Sequence, residues 1–380
     1  MIRNNDTFLF SADIDPDSVG SMLSLSLYLR LLGKKVYLII STSIGENLDY
    51  LARIIEYNSI PVLRQVEEIG RIKDEVDAII FCDTANTKLV PFYPYIRKHL
   101  LSRGLPVMEI DHHFGADSEV MTENGVTLFR HTNATTEIIG ELLKKLFQKF
   151  PGRSHPLDQR NILICLLTGL LGDTAGGRAV PYRENYDYWI HTLGENLGKN
   201  TRWRKPNRTR LGDDRETKFG HPDELWSYLN RLSQEQLACL KTLKERIVID
   251  GEIGSLNLLN STYPQVSHVC RPYHSDWFTN MMGFLLNQIS EATSKVGLVY
   301  YHGKNAEDHD CIYIKIRRSA KYSGIDLRHV EIKLRSAFDG MYMGGGGHAG
   351  AVSFRVHPHD ENEFLTKFET VVNDLKKSLP

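Results

Sequence analysis

The apolar run "LPVMEI" ends on Asp111, His112 and His113. An acid followed by two imidazoles can ligate a cation, orient one of the rings, or move a proton. A turn after a buried strand also accepts these residue types, so their chemistry depends on what else reaches the same place. Other apolar runs end similarly: "FLFSADIDPDS" presents Asp13, Asp15 and Asp17, "AIIFCDTAN" presents Asp83, and "LLTGLLGDT" presents Asp173. Strand alternation would put Asp13, Asp15 and Asp17 on one face, although Pro16 signals a turn nearby. Acids brought close together need a cation between them, because repulsion and desolvation otherwise raise their pKa values and cost stability. Carboxylates with one or two imidazoles suit Mn²⁺ better than Ca²⁺ or structural Zn²⁺. Two such ions about 4 Å apart stabilise both the attacking and the leaving oxygen of a phosphoryl displacement.

A second constellation lies near the C-terminus, where "MYMGGGGHAGAVSFRV" sets four glycines and His348 just before an apolar run that reads as a strand. Glycines let backbone N–H groups point into a concavity that accepts phosphate oxygens, although a flexible turn would use them too. The run is neither a dinucleotide fingerprint nor a P-loop. Upstream, "IKIRRSAKYSGID" places Arg317, Arg318 and Ser319 at a strand end, suited to gripping a phosphate.

The elements that must carry these residues follow from hydrophobic pattern. "TFLFSAD", "KVYLIIS", "DAIIFCD" and "PVMEID" are short apolar runs separated by helix-length segments, which implies βαβ units and a mostly parallel, doubly wound sheet. Helices are expected at "SVGSMLSLSLYLRLLG", apolar on nearly every face, and at "TNATTEIIGELLKKLFQKF", with hydroxyl residues as its cap. "RNILICLLTGLLGDT" reads equally as a buried helix or a strand. The segment 201–218 holds seven basic and three acidic residues around Trp203, an exposed insertion or a basic lip for single-stranded nucleic acid. A mixed α/β pattern then runs to the end. The expected organisation is an α/β catalytic domain over 1–200, a basic insertion and linker helices over 201–245, and a smaller mixed α/β substrate-binding domain over 246–380.

Bulk composition narrows the class. With 41% apolar and 24% charged residues the 380-residue chain is globular, and a formal net charge of −1 supplies no global attraction to nucleic acid or membrane. No apolar stretch approaches the ~20 residues that span a bilayer, and no signal peptide is evident. Five scattered cysteines argue against a disulfide framework and for a reducing cytoplasm.

Taken together, "DIDPDSVGS", "DTAN", "DHH", "GDT", "RRS" and "GGGGHAG" resemble the DHH phosphoesterase superfamily, in the branch whose C-terminal domain carries a G-G-G-H motif. The resemblance implies an active-site cleft between two domains that holds two Mn²⁺ ions, with Mg²⁺ as the alternative. It implies metal ligation by Asp15, Asp17, Asp83, His112 and Asp173, with Asp83 bridging. Asp111 would orient the imidazoles, His113 would stabilise charge at the scissile phosphate, and Arg318, Ser319, Gly345, Gly346, Gly347 and His348 would bind substrate. The first motif departs from the common pattern: Asp13 and Ser11 stand where many members have a ligating histidine. Its D-x-D-x-D form is similar to RecJ-type exonucleases and makes Asp13 a substitute ligand. The expected function is hydrolysis of short oligonucleotides or small nucleotides such as nanoRNA and pAp. The alternatives are a cyclic dinucleotide phosphodiesterase, a single-strand exonuclease, and a non-catalytic nucleotide-binding protein. A nucleotide substrate is the principal partner, a homodimer a further one, and a membrane is not expected.

Overall fold

The structure, a computed structural model, describes the chain except for residues 114–119, 123–124, 151–153, 203–218, 233, 260–275, 306–308, 320, 359 and 380. The expected basic insertion, with Trp203, therefore lies almost wholly outside the described residues. The chain divides into Met1–Arg231 and Leu232–Pro380.

In the first unit the apolar runs form β1 (Thr7–Ser11), β2 (Lys35–Ile39), β3 (Val62–Leu63), β4 (Ala78–Cys82), β5 (Val107–Asp111) and β6 (Val126–Phe129). They pair in the order β3-β2-β1-β4-β5-β6, every pair parallel. Between them and after them come α1 (Pro16–Leu31), α2 (Asp49–Tyr57), α3 (Val66–Ile72), α4 (Tyr93–His99), α5 (Thr135–Lys149), α6 (Arg160–Asp173), α7 (Arg183–Arg202) and α8 (Pro222–Leu229). Strand alternation assigns the two faces. Phe8, Phe10, Ile80 and Ile110 join the core beneath α1, α2, α5 and α6, whereas Leu9, Ile79 and Phe81 join the core beneath α3 and α4. Both faces are covered, which is why these strands read as unbroken apolar runs. The order reverses between β1 and β4, so the carboxyl ends of those neighbours flank the crevice where such sheets bind ligands.

Several expectations change here. Asp15 is the N-cap of α1 and Asp17 lies in its first turn, so Asp13, Asp15 and Asp17 do not share a strand face. The proline sets φ for the first helical turn and starts the helix early. "RNILICLLTGLLGD" is the helix α6, which makes Asp173 a helix-end rather than a strand-end residue. The first turn of α5 has no cap from its own hydroxyl residues. Cys82, Cys165 and Cys311 are free and buried, but Cys239 is disulfide-bonded, contrary to the expectation for all five. Among the described residues no helix is long and apolar enough to cross a membrane.

The second unit contains α9 (Gln234–Lys244), β7 (Val248–Asp250), β8 (Ile253–Leu258), α10 (Asp276–Thr293), β9 (Val296–Lys304), β10 (Asp310–Arg318), α11 (Val330–Ala337), β11 (Tyr342–His348), β12 (Ala351–Val356) and α12 (Glu361–Lys377). Its sheet runs β11-β12-β10-β9-β8-β7 and is antiparallel except between β8 and β9. Ile312, Ile314 and Ile316 pack with α11 and α12, while α9 and α10 pack with Leu256, Val299 and Tyr301. The glycine run is the edge strand β11, not a turn: Gly345 pairs with Phe354 and Gly347 with Val352. A Cβ at Gly347 would lie 2.2 Å from the Ala351 carbonyl oxygen, and its φ of +148° also favours glycine.

Helices α1 and α6 cross closely. A Cβ on Gly20 would stand 2.5 Å from the Cys165 carbonyl oxygen, a backbone atom that has little room to retreat. Gly20→Val should therefore lower stability by about 1–3 kcal/mol through overpacking, visible as a lower Tm in thermal denaturation.

Candidate metal centre

Five segment ends converge above β1, β4 and β5: the start of α1, the ends of β4 and β5, the start of α5 and the end of α6. Asp17, from α1, is completely buried, and its carboxylate accepts from the amides of Thr135 (2.5 Å) and Thr136 (3.0 Å). It is the cap that α5 lacks locally, supplied from the far side of the sequence. Gly169 of α6 makes room for it, since a Cβ there would lie 2.2 Å from Asp17 Oδ1.

Asp83 follows β4 with a left-handed φ of 51°, a conformation that Asp tolerates better than most residues. Its amide is held by the Ile110 carbonyl at 2.8 Å. Each of its carboxylate oxygens has a hydroxyl donor, Thr135 Oγ1 at 2.8 Å on Oδ1 and Ser18 Oγ at 2.9 Å on Oδ2. Ser18 also reaches Asp15, whose other oxygen caps α1 by accepting from the amides of Asp17 and Ser18.

His112 and His113 are fixed differently. His112 Nδ1 lies 3.2 Å from the Thr132 carbonyl, which assigns it the proton and leaves Nε2 as the ligating nitrogen. That Nε2 is buried and makes no hydrogen bond among the described residues, yet stands 3.1 Å from Asp173 Oδ2, 3.6 Å from Asp83 Oδ1 and 4.0 Å from Asp17 Oδ2. His113 Nδ1 lies 2.7 Å from Asp111 Oδ1, the same oxygen that accepts from the His112 and His113 amides. Two trios have ligand atoms within 4.8 Å of one another: Asp83 with His112 and His113, and Asp17 with His112 and Asp173. Neither contains Asp13 or Asp15. Asp13 accepts from the amide of Ile14, within its own loop.

The electrostatics of this set call for positive charge. Burial first, then Asp83, Asp173 and Asp15, push the Asp17 carboxyl well above its ordinary range. Burial also raises Asp15, against the opposing hydrogen bonds from Ser18. Asp83 is pushed up to about 7, by burial first and then by Asp15 and Asp173. For His112 burial is the largest single influence and works downward, but Asp173 and Asp83 outweigh it and raise the imidazole to about 9. A proton is thus drawn to the place where a cation would sit. An imidazole nitrogen without a hydrogen bond, surrounded by carboxylates, fits a divalent metal of the borderline class.

In the second unit the residues expected to bind substrate are placed variously. Ser319 is buried, and its hydroxyl donates to Glu291 at 3.0 Å. Arg318 donates from one guanidinium nitrogen to the carbonyls of Ser323 (3.2 Å) and Ile325 (2.6 Å). Gly345, Gly346 and Gly347 are exposed, and of His348 only the backbone is described. Two cations passed over in the sequence, Lys315 and Arg355, lie beside them: with Arg317, named from the sequence, they alternate with the core residues of β10 and β12 and share the opposite face. Burial lowers the Lys315 and Arg317 pKa values. Ser18 and Thr135 were also missed as site residues. Ser18 follows the acids directly in "DIDPDS", but nothing local in "TNATTE" distinguishes a carboxylate-holding threonine from a helix cap.

Residues 8–170 match the DHH family, N-terminal domain. An exopolyphosphatase-related protein from Bacteroides fragilis shares the fold, with a TM-score of 0.61 and 16% identity over 99% of this chain and 94% of that one. RecJ from Thermus thermophilus, in complex with Mg²⁺, aligns at a TM-score of 0.43 and 17% identity over 100% of this chain and 50% of that one. No curated protein matches the sequence.

The raised groups set the sign of a pH dependence. From about pH 4 to about pH 7 the folded state holds a proton on Asp83 that the unfolded chain has released, and from about 6.5 to about 9 it holds one on His112. Without cations, stability should therefore fall as pH rises through both windows. Added Mn²⁺ should raise Tm, more so at pH 8 than at pH 6, and EDTA should reverse the rise. Asp83→Asn should raise the cation-free Tm at pH 8 while shrinking the Mn²⁺ response; differential scanning calorimetry reads all of these.

Proposed function

We propose that this protein, whose residues 8–170 match the DHH family, N-terminal domain, hydrolyses phosphate esters in short oligonucleotides or small nucleotides, nanoRNA and pAp among them. The observation that carries the reading is the buried His112 Nε2, which has no hydrogen bond among the described residues and faces Asp17, Asp83 and Asp173. Asp15, Asp17, Asp83, His112 and Asp173 would hold two Mn²⁺ ions, with Mg²⁺ as the alternative. Such ions supply Lewis acidity toward a phosphate oxygen and a lowered pKa for the attacking water.

The chain's own residues do the rest. Ser18 and Thr135 each hold one Asp83 oxygen, so that the carboxylate central to the site does not rotate. The Thr132 carbonyl keeps the proton of His112 on Nδ1. With its Nδ1 on Asp111 and its side chain 45% exposed, His113 presents Nε2 toward a substrate oxygen, where it stabilises charge or delivers a proton as the ester bond breaks. Asp111 acts through His113 and is a positioning residue. On the second unit, the backbone of Gly345, Gly346 and Gly347 together with Lys315, Arg317 and Arg355 favours an anionic ligand. Arg318 and Ser319 shape the loop beside that surface, and His348 completes the proposed substrate set. The formal net charge of −1 favours small substrates, since a long polymer would want a sustained basic track.

Hydrolysis of pAp, a linear dinucleotide, a cyclic dinucleotide, a long single strand and pyrophosphate with Mn²⁺ tests the reading. Mononucleotide release from the linear dinucleotide or phosphate release from pAp is expected. Asp83→Ala should lose about 10³-fold or more in kcat, and His113→Gln about 10²-fold. A wild-type protein that binds nucleotide and returns it unchanged would overturn the proposal.

A further inference from the structure

The loop that follows Asp173 ends in a tyrosine whose backbone is held with unusual care. Asn133, buried at 4% exposure, accepts from the Tyr182 amide at 2.8 Å and donates to the Tyr182 carbonyl at 3.0 Å. This pair of hydrogen bonds fixes the Tyr182 backbone as a strand partner would. The Asn133 amide is itself oriented by Glu137, 3% exposed, which accepts from it at 2.7 Å. A buried carboxylate is costly, and this one serves to aim an amide at the backbone of a single tyrosine. Yet the tyrosine packs into no core: Tyr182 is 39% exposed, and among the described residues its hydroxyl makes no hydrogen bond.

Its neighbourhood shows what it faces. Asn133 directly follows Thr132, whose carbonyl holds His112, so the clamp and the metal-facing imidazole share one backbone segment. On the other side of Thr132, His131 places its ring 6.3 Å from the Tyr182 ring, tilted by 48°. Arg130 precedes His131 and Arg178 lies four residues before Tyr182 in the chain; both are exposed, without ion pairs among the described residues. A solvent-facing aromatic on a fixed backbone, with arginines close by in sequence, suits an unpaired nucleobase attached to a phosphate. We propose that Tyr182, backed by His131, is a specificity-determining residue of the phosphoesterase site, stacking a nucleobase of the substrate and so selecting nucleotides over base-free phosphate esters.

This inference rests on the phosphoesterase reading for its kinetics but not for its binding. A dinucleotide carrying 2-aminopurine and an otherwise identical dinucleotide with abasic sugars serve as probes. Fluorescence and competition titrations give their Kd values, and hydrolysis with Mn²⁺ gives KM and kcat. Tyr182→Ala should raise Kd and KM for the base-bearing dinucleotide about ten-fold or more, with the abasic one unchanged and kcat altered little. Tyr182→Trp should restore tight binding. Equal losses on both probes, or none on either, would overturn the platform. If the wild type cleaves neither probe, the phosphoesterase reading falls, while the two Kd values still decide the role of Tyr182.

Discussion

The first unit is organised around mutual repulsion among acids that it has removed from water. Asp17 and Asp83 are buried, and Asp173 joins them around one imidazole. Left to themselves these groups would take up protons or push apart. The fold holds them with two helix-start amides, two hydroxyls, and a glycine where any side chain would collide with Asp17. That investment makes physical sense if a multivalent cation completes the set.

Topology explains why these elements and not others supply the ligands. Where the strand order reverses, β1 and β4 turn away in opposite directions and leave their ends open to the same space. The starts of α1 and α5 point there too, and their positive dipole ends favour Asp17. Asp173 is the exception. It is the last residue of α6, where the dipole is negative and an acid is disfavoured, so its position makes sense through what it faces rather than through its own helix.

Legibility in the sequence followed burial. Strands β1, β2, β4 and β5 are sandwiched between helices and so appear as continuous apolar runs, whereas β3 is two residues long and β6 is an exposed edge, and neither gave a signal. Helix α6 is buried on nearly all sides, so its pattern lacks a period and fits helix or strand equally. The glycine run gave no strand signal because glycine carries no strand preference; pairing with β12 makes it a strand. The acids and imidazoles of the candidate site were visible as residue types at the ends of apolar runs. Their supports were not: Thr135 and Asp17 stand 118 positions apart, a distance at which no local pattern operates.

The two helix-borne acids that face His112 differ in what else depends on them. Asp17 ties α5 to α1 through a pair of amides as well as facing His112, so a descendant without the proposed chemistry would still be under pressure to keep it. Asp173 faces His112 from a more exposed position and caps no helix among the described residues. Across divergent copies of this chain, an acid retained at position 17 would therefore be a poor witness to the proposed chemistry, whereas erosion at position 173 would be the better mark of its loss.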